Sequence, residues 1–274
     1  MLNGYYTQIF RTRSFRVDPV WTLARGVLYR ILRCLNASAT ILCDFGPYHF
    51  RWRTKALPAR FGAAGFFVQR QYYEPLMEFG HRFLEPGYVA IDGGANQGVF
   101  TCAFAAAVGS TGLVLAFEPL NYAFLSLKAN VALNEFDNCR LFNKALSDSE
   151  GEAFIDASSG PVSASITRDF GGGKTQIVPT CTIDSLSLAR LDFVKLDVEG
   201  AELATLHGAQ RSLAAFSPVV CIEAGNEKDY RPVEKFLRTL GYSPHIFDGD
   251  GNLIPMPERF CFQFNVFFFA APKP

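Results

Sequence analysis

From residue 88 onward, short apolar runs alternate with stretches in which apolar residues recur every three or four positions. The first pattern predicts buried strands and the second amphipathic helices. "YVAID" (88–92) precedes a helix predicted over about 97–108 and closed by Gly109. "LVLAFE" (113–118) precedes a helical stretch carrying Leu125, Leu127, Ala129, Val131 and Leu133. A third strand is predicted at "CRLFNKAL" (139–146) and a fourth at "LDFVKLD" (191–197), the latter followed by the helix "GAELATLHGAQRSLAAF". "PVVCIEA" (218–224) is the fifth, with a helix near 229–240 ending at Gly241. Two strand-like runs, "YSPHIFDGDGNLI" and "FQFNVFFFAA", close the sequence around a turn rich in Asp and Gly. Strands alternating with helices predict an α/β fold, a mostly parallel sheet built of right-handed βαβ units with helices on both faces. The paired runs at the end predict an antiparallel strand that joins this sheet late. Residues 151–182 break the rhythm with "SSGPVSAS" and "GGGK", and read as a long loop or small β excursion over the sheet's functional edge.

The first 70 residues follow another pattern. "PVWTLARGVLYRILRCL" (19–35) sets Val20, Ala24, Val27, Ile31 and Leu35 on one helical stripe, widened by Trp21, Leu28 and Leu32. Arg25, Arg30 and Arg33 lie largely off that stripe, and Arg11, Arg13 and Arg16 precede it. Charge sharpens the contrast. The whole chain has zero net charge, yet residues 1–70 hold eleven Lys/Arg against only Asp18 and Asp44. The remainder holds fifteen basic and twenty-four acidic residues. A basic amphipathic helix suits peripheral contact with an anionic membrane. The same pattern suits docking on the acidic remainder of its own chain, or a homo-oligomer contact, and docking is the preferred expectation. The arginines are not interleaved with a recognisable recognition fold, so no nucleic-acid partner is expected. The chain thus divides into a basic, partly helical extension at 1–70 and one domain at 71–274.

Composition adds limits. With 49% hydrophobic and 14% aromatic residues, disorder over most of the chain is excluded. Seven cysteines lie far apart with no C-x-x-C pair, and read as buried reduced thiols, neither a disulfide framework nor a zinc site. The first eighteen residues lack the apolar core of a signal peptide, and no apolar run approaches the roughly 18–20 residues of a membrane span. A cytoplasmic protein is the expectation, with any membrane association left to the N-terminal helix.

"VAIDGGANQGVF" reads as a strand, an acid, a glycine-rich turn and a helix, an arrangement that places ligands at the carboxyl ends of parallel strands. A dinucleotide fingerprint would be G-x-G-x-x-G. Starting at Gly93, the chain supplies Gly93, Ala95 and Gly98, so the glycine that lets backbone approach a pyrophosphate is missing. Asp92 at the strand end would repel that pyrophosphate too. A cofactor without phosphates removes both objections. S-adenosylmethionine carries a sulfonium and an ammonium, which an acid favours through charge. Glu118, closing the second strand, stands where a carboxylate accepts hydrogen bonds from both ribose hydroxyls, a feature NAD binders share. A tight turn without a ligand, and Asp92 as a helix cap, remain the structural alternatives.

At these residues the chain resembles the FkbM family of S-adenosylmethionine-dependent methyltransferases. The matching stretches are "EPGYVAIDGGANQGVFT", "LAFEPLNYAFLSLKANVALN", "NKALSDSEG", "VPTCTIDSL" and "DFVKLDVEGAELATLHGA", in the family's order over roughly residues 72 to 270. The K-x-D-V-E-G-A-E run is the most specific. The resemblance implies a seven-stranded Rossmann-like sheet, S-adenosyl-L-methionine as cofactor, and usually O-methylation of a hydroxyl. Carried over by position, Asp92, Gly93, Gly94, Asn96 and Gly98 surround the methionine part, Glu118 takes the ribose, and Asn143 and Ala145 fall at the adenine edge. Gln97 and Val99 depart from the family, which often has an apolar and an aromatic residue there. Residues 1–70 lie outside the resemblance.

Methyl transfer needs an acceptor oxygen held in line with the sulfonium methyl, and an alcohol also benefits from a base. Asp197 and Glu199 lie at the end of the fourth strand. If the strand runs through Glu199, alternation points both to one side. Glu223 ends the fifth strand, so Asp92, Asp197, Glu199 and Glu223 are expected to crowd one rim. Clustered carboxylates raise one another's pKa, which suits a base near neutral pH; they could instead hold a divalent cation. Glu199 could also simply cap the next helix, with Glu202 in its first turn. Asp197 is the preferred base or acceptor-positioning group, and the metal question stays open. Lys195, unusual inside a buried strand, is expected to pair with an acid such as Asp92 or to snorkel. The histidines (49, 81, 207, 245) show no ligand spacing and read as structural. The expected reaction is O-methylation of a sugar, glycolipid or secondary metabolite. The alternative is a cofactor-binding or peripheral membrane scaffold that keeps the fold without catalysis; an NAD-dependent oxidoreductase is disfavoured by Ala95 and Asp92.

Overall fold

A computed structural model describes residues 13–45, 48–54, 63–70, 74–156, 166–167, 175–248, 251–260 and 263–271. The N-terminal part holds helices α1 (Arg13–Val17) and α2 (Pro19–Cys34), the hairpin β1 (Ala39–Phe45) and β2 (Tyr48–Thr54), then α3 (Ala63–Gln69) and α4 (Pro75–Phe83). Helix α2 starts at a proline, and the Asp18 side chain before it accepts the Trp21 N–H and pairs with Arg25. Strand β2 alternates strictly: Tyr48, Phe50, Trp52 and Thr54 are buried and the residues between them exposed.

The βαβ series follows as β3 (Val89–Gly93), α5 (Val99–Val108), β4 (Leu113–Phe117), α6 (Asn121–Leu133) and β5 (Cys139–Phe142). Strands β6 (Ala145–Leu146), β7 (Gly151–Asp156), β8 (Ile166–Thr167) and β9 (Thr175–Cys181) then form a separate four-stranded sheet, ordered β6-β9-β7-β8. The chain returns through β10 (Phe193–Leu196), α7 (Glu202–His207), α8 (Gln210–Phe216), β11 (Val219–Ala224), α9 (Glu227–Thr239), β12 (Tyr242–Phe247), β13 (Leu253–Pro255) and β14 (Gln263–Ala270). The β excursion expected within 151–182 is thus present as β7 and β9, while "SSGPVSAS" and "GGGK" lie outside the described residues.

The main sheet is Rossmann-like and mostly parallel, in the order β13-β12-β14-β11-β10-β3-β4-β5, with β14 antiparallel to both β11 and β12. It has eight strands where seven were expected. The Asp248 side chain accepts the Asn252 N–H at 2.8 Å, and the turn folds Leu253–Pro255 back on His245–Phe247 as an extra edge strand. Side-chain alternation buries both faces. Ala90, Val114, Phe193 and Cys221 join one core, and Ile91, Leu115, Val194 and Val220 the other. Strand order reverses between β3 and β10, the position at which open α/β sheets leave a crevice.

Three further expectations are corrected by tertiary packing. The strand over 139–146 is two: β5 pairs with β4, and Ala145–Leu146 pairs with β9 in the other sheet. The helix after β10 breaks into α7 and α8 around Gly208, where a Cβ would lie 2.1 Å from the Ser147 carbonyl oxygen. The cysteines are not uniformly buried, since Cys34 is exposed and Cys139 only partly covered. Among the described residues, no helix is long and apolar enough to cross a membrane.

The N-terminal hairpin is fastened to the sheet domain by two asparagines one turn apart, Asn130 in the last turn of α6 and Asn134 capping its end. Asn134 accepts the Arg51 N–H at 2.5 Å and donates to the Arg51 carbonyl at 2.7 Å. Asn130 does the same for Arg53, at 2.7 and 3.3 Å. These amides occupy the hydrogen-bonding groups of a strand edge, as a neighbouring strand would. Trp52, between the two arginines, points inward against Phe66.

Candidate active site

The crevice between β3 and β10 is shaped by the glycine turn. Gly94 sits at φ +72°, and a Cβ there would fall 1.8 Å from the Asp197 carbonyl oxygen. Only glycine lets the turn press so closely on the end of β10. Gly98 is also left-handed, at φ +84°, and faces the Leu127 side chain of α6. Gly94 and Ala95 donate their N–H groups to the Phe117 carbonyl, fixing the turn to the end of β4.

Asp92 and Lys195 are side by side on adjacent strands. The Asp92 side chain is fully buried; Thr101 donates to its Oδ2 at 2.5 Å, and the Lys195 ammonium lies 3.2 Å from Oδ1. Lys195 also donates to the Gly93 and Gly94 carbonyls at 3.3 Å and lies 3.5 Å from Asp197. Burial opposes its charge, but Asp92 and Asp197 outweigh that and hold its pKa above the ordinary lysine value. Asp92 therefore lies beneath the turn, outside the lining of the two cavities described below, and its charge is met within the fold.

Glu118 follows β4 and is 5% exposed. Its carboxylate accepts the Asn96 N–H at 2.8 Å and the Leu120 N–H at 2.9 Å. Burial raises its pKa to about 7 in spite of those bonds and of Lys195. Asn143 spends its side-chain amide on the Glu118 and Pro119 carbonyls, at 2.8 and 3.0 Å, and so braces the end of β4. Ala145 is buried in the wall nearby.

Two cavities meet at Gly94 and Asp197. The first is lined by Glu118, Leu120, Ala145, Ile155 and Glu199. The second lies on the other side of the turn, against Trp52, Glu74, Asn96, Gln97 and Lys195. Within that second lining, Trp52 Nε1, Asn96 Oδ1 and Gln97 Oε1 are buried without a hydrogen-bond partner among the described residues. Local sequence patterns miss Trp52 and Glu74, which precede the glycine turn and carry no signal of their own; Gln97 shows only as a departure from the family.

Strand β10 stops at Leu196, so strand alternation does not orient Asp197 and Glu199. Glu199 sits in a turn at φ +49° and lines the first cavity. Glu199 does not cap α7, whose first turn has no side-chain cap; the Glu202 carboxylate instead accepts the Val198 and Gly200 N–H groups of the preceding turn at 3.3 and 3.0 Å. Burial, followed by the charges of Asp197 and Glu202, raises the Glu199 pKa to about 7. Glu223, exposed on the rim, is raised by partial burial and by Asp197, Glu74 and Glu199. Among the described residues, no group of three or more His, Cys, Asp or Glu side chains is placed to hold a metal ion.

Residues 92–244 match the profile of the Methyltransferase FkbM domain. Among solved structures, methyltransferase FkbM from Methylobacillus flagellatus KT is 15% identical with a TM-score of 0.48, covering 93% of this chain and 61% of that one. The chain thus spans less than two thirds of that protein's length. An rRNA methylase from Streptococcus thermophilus is 13% identical with a TM-score of 0.44, covering 73% of this chain and 98% of that chain. Aeropyrum pernix fibrillarin with natively bound S-adenosyl-L-methionine is 9% identical with a TM-score of 0.41, covering 68% of each chain. No curated protein matches the sequence. With a domain match over more than half of its length, beginning at the strand-end acid of the glycine turn, the chain belongs to the FkbM family of S-adenosylmethionine-dependent methyltransferases.

Proposed function

We propose that this chain O-methylates a hydroxyl of a small molecule or glycan, a sugar, glycolipid or secondary metabolite, with the cofactor laid across the two cavities. The observation that carries the reading is the trio of partnerless polar atoms on Trp52, Asn96 and Gln97 beside the glycine turn. Buried polar atoms are normally satisfied, and a ligand is one way to satisfy them. One N–H donor and two carbonyl acceptors suit the carboxylate and ammonium at the methionine end of the cofactor. A carboxylate offers about four acceptor positions, so Glu118 keeps two for the ribose hydroxyls after its bonds to Asn96 and Leu120. Leu120, Ala145 and Ile155 give the first cavity an apolar wall for adenine.

When bound, the cofactor supplies an electrophilic methyl group on sulfur. The chain's own residues do the rest. Asp92 and Lys195 hold the turn from below, and Gly93, Gly94 and Gly98 let it close on β10 and α6. Asn143 keeps Glu118 in place. Asp197, where the two cavities meet, orients the acceptor hydroxyl, and much of the acceleration is such positioning. Glu199, with a pKa near 7, takes the hydroxyl proton, and Glu223 on the rim passes it to solvent. The acidic rim of Glu74, Asp197, Glu199 and Glu223 disfavours a polyphosphate backbone, which supports a non-nucleic acceptor.

The reading is tested by calorimetric titration with S-adenosylhomocysteine, NAD and NADP. Micromolar binding of the first alone supports it, and binding of NAD overturns it. Binding without methyl transfer to any hydroxyl acceptor would favour the scaffold alternative, and transfer to RNA would replace the acceptor class. In a working assay, Glu199→Gln is expected to lower kcat about 100-fold, the usual worth of a general base. The wild-type rate should fall as pH drops below about 7, because Glu199 must then give up a proton before it can act.

A further inference from the structure

Helix α2 is docked by the wrong face. Thr22, Gly26 and Tyr29 are its buried residues: Thr22 shares a 2.7 Å hydrogen bond with Ser14, and the Tyr29 ring lies 5.4 Å from that of Phe67. Arg25 adds a 2.9 Å bond to the Val68 carbonyl. The apolar stripe looks outward. Val20 is 72% exposed, Trp21 65%, Val27 54%, Leu28 47%, Ile31 50% and Leu35 71%. At 100° per residue these six positions fall within an arc of roughly 120°, the width of a face normally turned to a core.

We infer that this face is a docking surface for an anionic lipid bilayer. The helix carries no acidic residue, and the one acid before it, Asp18, is paired with Arg25. Residues 1–70 hold eleven basic residues against two acids, the charge an anionic headgroup layer attracts. Exposed Arg33 lies off the apolar arc, where an interfacial helix keeps its cations while its apolar face sinks about 5–10 Å, and exposed Arg16 stands on α1 just before the helix. A second copy fits less well. A helix of 16 residues is about 24 Å long, and its stripe offers a few hundred Å², below the roughly 800 Å² per partner of a stable complex. Pairing two such helices would also bring like charges together. Elsewhere among the described residues, large exposed apolar side chains occur singly or in pairs, as Leu125 on α6, Ile177 on β9, and Leu253 with Ile254 on β13.

The inference is independent of the cofactor reading and is tested on the full chain with vesicles of phosphatidylcholine, alone or mixed with phosphatidylglycerol. Binding at least tenfold tighter to the mixed vesicles, and weakened by salt, is expected. The chain has two tryptophans, and Trp52 is fully buried, so a blue shift in emission would report entry of Trp21 into the interface. The double variant Val27→Asp with Ile31→Asp should lose vesicle binding while keeping its thermal midpoint, since both positions are half exposed. Three results would overturn the inference. They are absence of binding to mixed vesicles, equal binding to neutral ones, or a dimer in sedimentation velocity that the double variant dissociates while vesicles go unbound.

Discussion

Replacing Lys195 by methionine is expected to destabilise the fold by about 3–5 kcal/mol, because it strands a buried carboxylate without its counter-charge. Asp92 is fully buried, and apart from Lys195 its Oδ1 has no partner among the described residues. Lys195 is itself only 3% exposed and also serves the Gly93 and Gly94 carbonyls. Removing the ammonium therefore loosens the glycine turn and the end of β10 together. Urea unfolding would measure the loss. The double variant Lys195→Met with Asp92→Asn removes both charges while leaving an oxygen for Thr101, and should recover more than half of it. A single variant costing less than about 1 kcal/mol would mean that the pair does not hold the turn. Lys195 also lowers the pKa of Glu118, Glu199 and Glu223, so in the variant all three should titrate higher.

That pair is partly legible in the sequence itself: a lysine inside "FVKLD" calls for an acid such as Asp92 or for snorkelling to the sheet end, and the structure pairs it with Asp92. The two-sided burial of β3, β4, β10 and β11 is legible for a similarly local reason: parallel strands covered on both faces read as continuous apolar runs. Other features depend on contacts distant in sequence. Gly208 breaks the α7–α8 helix against Ser147, some sixty residues earlier. Trp52 reaches the site from a hairpin held by Asn130 and Asn134, beyond any local pattern. The amphipathic stripe of α2 is visible in its periodicity, but periodicity does not say which face docks; there the side of Thr22, Gly26 and Tyr29 is buried and the apolar stripe exposed. The placement of Glu199 is not set by alternation, because the strand stops three residues before it.

Glu118→Ala is expected to weaken S-adenosylhomocysteine binding by more than tenfold, at least about 1.4 kcal/mol. The pH dependence separates a ligand-binding role from a merely structural one. Only the ionised carboxylate offers acceptors to both ribose hydroxyls, and burial has raised its pKa from 4.5 to about 7. Wild-type affinity should therefore fall as pH drops from 8 to 6, and Glu118→Ala should flatten that dependence. Glu118→Gln, which keeps one acceptor for the turn amides, should behave in the same direction with less disturbance of the fold. Stability runs the opposite way. A carboxyl whose folded pKa exceeds its unfolded value stabilises the apo protein fully below about 4.5, and that contribution is lost as pH rises through about 7. Alanine at 118 should thus cost the apo fold less at pH 8 than at pH 5, whereas a carboxylate kept only for structure by its two N–H donors would cost more. Equal affinity at both pH values with a normal fold would remove Glu118 from the cofactor site.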